Sequence, residues 1–422
     1  MRLPKARNVA GVILIIVAII AMGLLIAQDQ DTLRVRSPLS ADDPRYPDYL
    51  ARLLGHRLVT GTDVTVLTDG DTAFPAMLAA IARARSRISF ETYIFDKGAV
   101  GAQFARAFVE AAARGVDVRL IVDSVGSKTV GQATVQEMQK AGVHLVWFNP
   151  IASYKFEEAN YRTHRKVLVV DGETAFVGGI GIADHWAQDV DGEPKWRDTH
   201  LALRGPVALD VEAAFDEHWI ESGNIVAPDL LPHDPKPQGA GTAITVWSSP
   251  EGGANAMKLL YLLAMASARH ALDIQSPYFI TDESTQWSLL DARRRGVRVR
   301  VLVEGDITDA KPVKYASRAL YEPLLRAGVE IFEYQPAMMH TKAMMVDDTF
   351  SMAGSANFDN RSLELNEELN VVVFAKGVTS RLREDFDRDV SRSRRLTYDA
   401  WRARPFWTRA HEQAWSYFGE VF

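Results

Sequence analysis

Two segments of this chain share one unusual spacing, and whatever fold it adopts has to accommodate both. In "NYRTHRKVLVVDGETAFVGG" (Asn160 to Gly179), His164 and Lys166 stand two residues apart, four apolar residues follow, and Asp171 closes the unit. "MHTKAMMVDDTFSMAGSAN" repeats the intervals with His340, Lys342 and Asp347. Val167 to Val170 and Ala343 to Val346 read as buried strands, and residues i and i+2 share a face of a strand. Each His therefore projects beside its Lys. Asp171-Gly172 and Asp347-Asp348 turn the chain into "TAFVGG" and "TFSMAGS", completing hairpin-like units. The aspartates have the opposite parity to the His-Lys pairs, which assigns them a supporting role in turn geometry or hydrogen bonding.

The elements around the two units repeat as well. "VTVLTDG" (Val64 to Gly70) reads as a strand and turn, "AFPAMLAAIARARSR" (Ala73 to Arg87) as an amphipathic helix, and "ISFETYIF" (Ile88 to Phe95) as a strand. In the second half "AITVWSS", "AMKLLYLLAMASAR" and "LDIQSPYFI" follow in the same order, and "ARGVDVRLIV" echoes in "RRGVRVRVLV". A duplicated order of elements points to internal repetition. Strands alternating with helices imply an α/β fold with a parallel or mixed sheet in each half. The expected division is an anchor and linker over 1–45, a first half over 46–225, a Pro/Gly-rich linker over 226–242, a second half over 243–397 and an aromatic tail over 398–422. Two such halves packed face to face would build one site at their junction from one set of residues each.

Length and charge narrow the possibilities. A chain of 422 residues suffices for two similar halves. A formal charge of -6 and a pI near 6.0 argue against a general nucleic-acid binder, which needs a basic surface or stripe. Without cysteine there are neither disulfides nor thiolate metal sites. Val9 to Ala27 is an uncharged apolar run, preceded by Arg2, Lys5 and Arg7 and followed by Asp29 and Asp31. Such a run suffices to cross a bilayer as a helix of roughly 20 residues. The charge asymmetry places the N-terminus in the cytoplasm and the rest of the chain across the membrane, as a single-pass protein. A cleaved signal peptide is the competing reading, and Leu25-Ile26-Ala27 is a poor cleavage site.

The duplicated pairs suit phosphoryl chemistry. A neutral imidazole can attack phosphorus, an ammonium group stabilises charge on the equatorial oxygens, and a second imidazole protonates the leaving alcohol. Such a site requires no metal or cofactor, and the chain has no HExxH sequence.

At these residues the sequence resembles the phospholipase D superfamily and, within it, the bacterial cardiolipin synthases. The resemblance runs from about Val64 to Phe374 and includes "SPYFI" and "GSANFDNRSLELNEELN" (Gly354 to Asn370). It implies two α/β/α sandwich halves packed as a pseudo-dimer, a covalent phosphohistidine and a ping-pong course. It further implies His164 as nucleophile and His340 as acid/base, the reverse remaining open, with Lys166 and Lys342 gripping phosphate. Asn357 would be another phosphate contact, whereas Gly181 stands in the first half where the pattern has Asn. Asp198 and Glu368, with Glu367 as the adjacent alternative, match the acids that orient the opposite histidine. Glu91 and Gln275 occupy corresponding strand positions and are candidates to line the pocket, or else buried polar residues satisfied by backbone.

The resemblance implies membrane phospholipids as partners, phosphatidylglycerol first, while the acidic balance argues against nucleic acid. Transfer of a phosphatidyl group to a second phosphatidylglycerol would give cardiolipin. Hydrolysis to phosphatidic acid, a nuclease of the same superfamily and a lipid-binding protein with a decayed site are the rivals. The tail from Tyr398 suits either a bilayer interface or a helix docked on the body. "RDVSRSRR" (Arg388 to Arg395) reads as a solvated charge run or an attractor of anionic lipid.

Overall fold

The structure, a computed structural model, describes residues 32–150, 161–226, 235–249 and 256–417. The apolar run expected to anchor the chain, Val9 to Ala27, lies outside the described residues. Among the described residues no helix is long and apolar enough to cross a membrane.

The first half contributes β1 (Val59–Thr68), β2 (Arg87–Thr92), β3 (Asp117–Asp123), β4 (His144–Phe148), β5 (Val167–Val170), β6 (Thr174–Gly178) and β7 (Thr199–Arg204). The second contributes β8 (Gly241–Trp247), β9 (Ala271–Gln275), β10 (Arg298–Glu304), β11 (Glu330–Tyr334), β12 (Ala343–Val346), β13 (Phe350–Gly354), β14 (Leu369–Phe374) and β15 (Ser393–Leu396). Their order is β1-β7-β6-β5-β2-β3-β4 in one half and β8-β14-β13-β12-β9-β10-β11-β15 in the other, joined by an antiparallel β1–β8 pair. β2, β3 and β4 run parallel, as do β9, β10 and β11, while the His-Lys hairpins β5–β6 and β12–β13 are antiparallel.

Apolar runs rather than alternation are what two-sided burial requires. In β5, Leu168 and Val170 pack with Phe74, Phe90, Phe104 and Phe108 beneath the outer helices Asp69–Arg83 and Ala99–Ala113. Val167 and Val169 face the other way, into a core shared with Ala343, Met345, Ala353 and Val371 of the second half. That shared core brings the two sheets together and sets both His-Lys pairs at one junction.

Several boundaries differ from the expectation. The helix Tyr46–Leu54, expected in the first half, packs into the second-half core with Leu260, Tyr261 and Phe350, and the Tyr46 hydroxyl donates to the Leu263 carbonyl at 3.0 Å. Its amphipathic pattern fixed a buried face without naming the surface that would cover it. The helix expected from Ala73 begins at Asp69, because the Asp69 amide donates to the Asp198 carbonyl and ends β1 at Thr68. In the tail, Tyr398–Arg402 and Phe406–Ser416 are helices docked on Lys311–Ala319, held by Glu412 against Arg318 at 3.1 Å and Arg404 at 2.7 Å. Phe406 and Trp407 nevertheless remain exposed.

Candidate active site

Each His-Lys pair lies just ahead of a hairpin strand, and the opposite half of the chain fastens it. The His164 amide donates to the Glu367 carbonyl at 2.9 Å, and the Glu367 amide donates to the Arg162 carbonyl at 3.0 Å. The mirror arrangement has His340 N–H on the Arg197 carbonyl at 2.7 Å and Arg197 N–H on the Met338 carbonyl at 2.8 Å. The next residue in each clamp is an acid. Glu368 holds His164 Nδ1 through both oxygens at 2.9 and 3.0 Å, and Asp198 holds His340 Nδ1 at 2.8 Å. With Nδ1 engaged, the Nε2 of each ring is the nitrogen left for chemistry.

Lys166 Nζ donates to the His164 carbonyl at 2.8 Å and Lys342 Nζ to the His340 carbonyl at 2.5 Å, so each ammonium stays beside its imidazole. His164, Lys166, His340 and Asn357 line one cavity of about 380 Å³. Burial, together with the two lysine charges, holds His164 down at about 4 against the pull of Glu368. Burial and the same lysines push His340 well below its ordinary value. Both imidazoles are therefore neutral near pH 7. Burial and the neighbouring Lys342 lower Lys166 to about 7, and burial lowers Lys342 to about 8.

Other expected site residues lie elsewhere. Asp171 accepts the amides of Arg85, Ser86 and Arg87 at 3.0, 2.8 and 3.1 Å, and Asp347 those of Arg269, His270 and Ala271 at 2.9, 2.7 and 2.9 Å. Both stand at positive φ at the far ends of β5 and β12, where they fasten the starts of β2 and β9. The two motif aspartates, Asp171 and Asp347, therefore stand apart from the catalytic set: they clamp backbone, the supporting role in turn geometry that their parity assigned. Glu91 and Gln275 do not line the cavity either. Glu91 is fully buried, bonded to Thr163 Oγ1 and to His218 Nδ1 at 2.6 Å, and Gln275 donates to Asp389 at 3.0 Å. Their side chains face the helices Val207–Glu221 and Lys376–Ser391, which carry His218 and Asp389.

A buried charge network around His218 has no counterpart in the sequence reading. His218 lies between Glu91 and Glu367, the latter 3.3 Å from Nε2, and Glu367 also meets Arg165 at 3.3 Å. Burial and Arg165 oppose a proton on His218, yet the two carboxylates prevail and raise it to about 9. In the mirror position Arg197 bonds Asp389 at 2.9 Å. The signal was available: Arg197 and Glu367 each immediately precede an orienting acid.

Gly181, the departure from the expected pattern, also has a local explanation. A Cβ there would lie 3.1 Å from the Trp186 ring and from Ile94. Trp186 fills the space, and its indole N–H donates to Asp198 Oδ2 at 2.9 Å. In the second half Asp or Glu support comes from Ser355, whose hydroxyl donates to Glu368 at 2.5 Å.

The sequence model described as "Cardiolipin synthase, PLD-like domain" matches residues 77–219 and 261–390, which carry both clamps and both His-Lys pairs. The chain belongs to this family. It is a phospholipase D-type phosphatidyltransferase. A cardiolipin synthase of Geobacillus kaustophilus is 33% identical over 365 residues, 86% of this chain and 72% of the relative. Cardiolipin synthase 1 of Bacillus cereus is 31% identical over 377 residues, 87% and 74% of the respective chains. The fold is shared with a phosphatidylserine synthase of Haemophilus influenzae at 12% identity, with a TM-score of 0.69 over 89% of this chain and all of that one.

Proposed function

We propose that this family member is a membrane-anchored enzyme that makes cardiolipin from two phosphatidylglycerol molecules, with Val9 to Ala27 as its anchor in a bacterial inner membrane. The observation carrying the proposal is the pair of cross-half contacts, Glu368 on His164 and Asp198 on His340, which direct two imidazoles into one cavity. His164 Nε2 attacks phosphorus, forming a P–N bond as the P–O bond to glycerol breaks. His340, protonated in the presence of the bound phosphodiester anion, gives its proton to the departing glycerol oxygen. The hydroxyl of a second phosphatidylglycerol then returns a proton to His340 as its oxygen attacks phosphorus and the P–N bond breaks. Lys166, Lys342 and Asn357 hold the phosphoryl oxygens through both steps.

The test is incubation of the purified protein with phosphatidylglycerol in detergent, with lipid products resolved by mass spectrometry beside His164→Ala and His340→Ala. Cardiolipin and free glycerol, lost in both variants, are expected. Phosphatidic acid alone would make the enzyme a hydrolase, and no product would overturn the substrate. A base-stable phosphate adduct on His164, found after digestion, assigns the nucleophile; an adduct on His340 reverses the roles.

A further inference from the structure

A cavity that grips phosphate has no electrostatic use for carboxylates, yet two of them line this one. Asp359, 3% exposed, and Asp309, open at the mouth, share the cavity with Lys166 and both histidines. A carboxylate there opposes the anion, so it serves another part of the substrate. Neither forms an ion pair among the described residues: Asp309 accepts the Tyr278 hydroxyl at 2.8 Å, and Asp359 accepts the Ser362 amide at 2.8 Å. Beside them are buried polar atoms with no protein partner among the described residues, namely Asn357 Oδ1, Ser362 Oγ and Asn366 Oδ1. Buried polar atoms are ordinarily satisfied, and three orphans along one cavity wall mark a ligand that supplies hydrogen bonds.

All of these groups come from the second half. The first half faces them with Tyr93, Ile94, Trp196 and Arg162, the Tyr93 ring edge-on to His164 at 5.4 Å and Trp196 at 5.5 Å from His340. The catalytic groups are thus near-symmetric while the cavity is not. A ligand with hydroxyls both donates to the carboxylates and to the amide oxygens and accepts from the Ser362 hydroxyl, whereas an ammonium only donates.

We propose that the wall formed by Asp309, Asp359, Ser362 and Asn366 is a polyol subsite that holds the glycerol headgroup beside His340. The inference rests on the phosphatidyl-transfer reading and deepens it. Leaving and entering glycerol occupy the same subsite in turn, as a two-step exchange at one phosphorus requires. A site built to hydrogen-bond hydroxyls rejects an analogue lacking them far more strongly than an apolar pocket discriminates by size.

The first experiment compares kcat/KM for phosphatidylglycerol, phosphatidylethanol and phosphatidylethanolamine in wild type, Asp359→Asn and Asp309→Asn. The preference for phosphatidylglycerol over phosphatidylethanol is expected to fall about tenfold or more in Asp359→Asn. An equal loss on all three donors would reduce these residues to structural parts, and a loss confined to phosphatidylethanolamine would make the wall an amine site; either overturns the proposal. A wild type inactive on every donor would count against phosphatidyl transfer itself. Binding alone then decides the subsite: glycerol 1-phosphate and ethyl phosphate are titrated calorimetrically into His164→Ala. Glycerol 1-phosphate is expected to bind about tenfold tighter, an advantage erased by adding Asp359→Asn, and equal binding of the two would refute the subsite.

Discussion

Asp198 and His340 belong to different halves of the chain, yet the carboxylate Oδ2 stands 2.8 Å from the imidazole Nδ1. Glu368 makes the reciprocal contact with His164. A buried carboxylate on Nδ1 fixes the tautomer that leaves Nε2 free and stabilises the imidazolium that forms when Nε2 takes a proton. An amide of the same size keeps the packing but no longer enforces the tautomer. Asp198→Asn and Glu368→Gln are therefore each expected to lower kcat by roughly 100- to 10,000-fold with little change in melting temperature. Single-turnover kinetics with a folded-state check measures this, and a loss below tenfold would remove the acids from the catalytic apparatus.

The lysines set the alkaline limit. A lysine lowered to about 7 is charged below that pH and neutral above it, so the phosphate grip weakens as pH rises through about 7 to 8. On the acid side His164 stays neutral down to about 4. The kcat/KM profile of the free enzyme should accordingly hold near pH 5 to 6.5 and fall across 7 to 8. Arginine stays protonated, so Lys166→Arg should carry the alkaline limb upward, and a limb that does not move would contradict this account. The same shift affects stability. Because unfolding returns Lys166 to its ordinary value of 10.5, the protonated residue opposes folding below about pH 7, and this penalty fades as pH rises toward 10.5. Lys166→Met should thus stabilise the fold at pH 6 by on the order of a few kcal/mol while removing activity, as thermal unfolding would record.

What the sequence made legible was the placement of residues with fixed local spacing. The His-Lys pairs, Asp198, Glu368 and Asn357 are brought together at one junction, and the turn aspartates sit at the opposite parity that their position implied. Partner choice was not legible. Glu91 and Gln275 looked like pocket residues because they lie on inner strands, but strand position alone does not say whether His218 or a cavity faces the carboxylate. The helix Tyr46–Leu54 falls within the expected first half by position, yet it packs into the core of the distant second half. Contacts of this range depend on how the two halves pack, which local periodicity does not encode.

His218 sits as a buried cation between Glu91 and Glu367. Its value is raised from 6.5 to about 9, so its contribution to stability is full below about pH 6.5 and is lost as pH rises through 9. His218→Gln leaves Glu91 buried without its cation and Glu367 with Arg165 alone, a change expected to cost about 3–5 kcal/mol near pH 6. The gap between wild type and variant should then narrow steadily up to pH 9.5. Urea denaturation of both proteins across this range tests it; a gap independent of pH would mean that His218 is neutral in the folded protein.

The missing first-half asparagine bears on whether the two half-sites were ever meant to match. Trp186 occupies the space beside Gly181, so Gly181→Asn does not restore a lost donor. Its Cβ presses on Ile94 and on the Trp186 indole, so the ring that donates to Asp198 has to give way. Gly181→Asn is therefore expected to lower kcat, through a disturbed Asp198–His340 contact, by about tenfold or more. Trp186→Phe separates the two causes, because it keeps most of the ring and removes only the N–H. Losing one hydrogen bond to a buried carboxylate should slow the enzyme while preserving the fold. If Gly181→Asn instead raised activity, the glycine would be a defect in an otherwise symmetric site. If both variants slow the reaction, the tryptophan is the first half's own support for Asp198, as the Ser355 hydroxyl is the second half's support for Glu368.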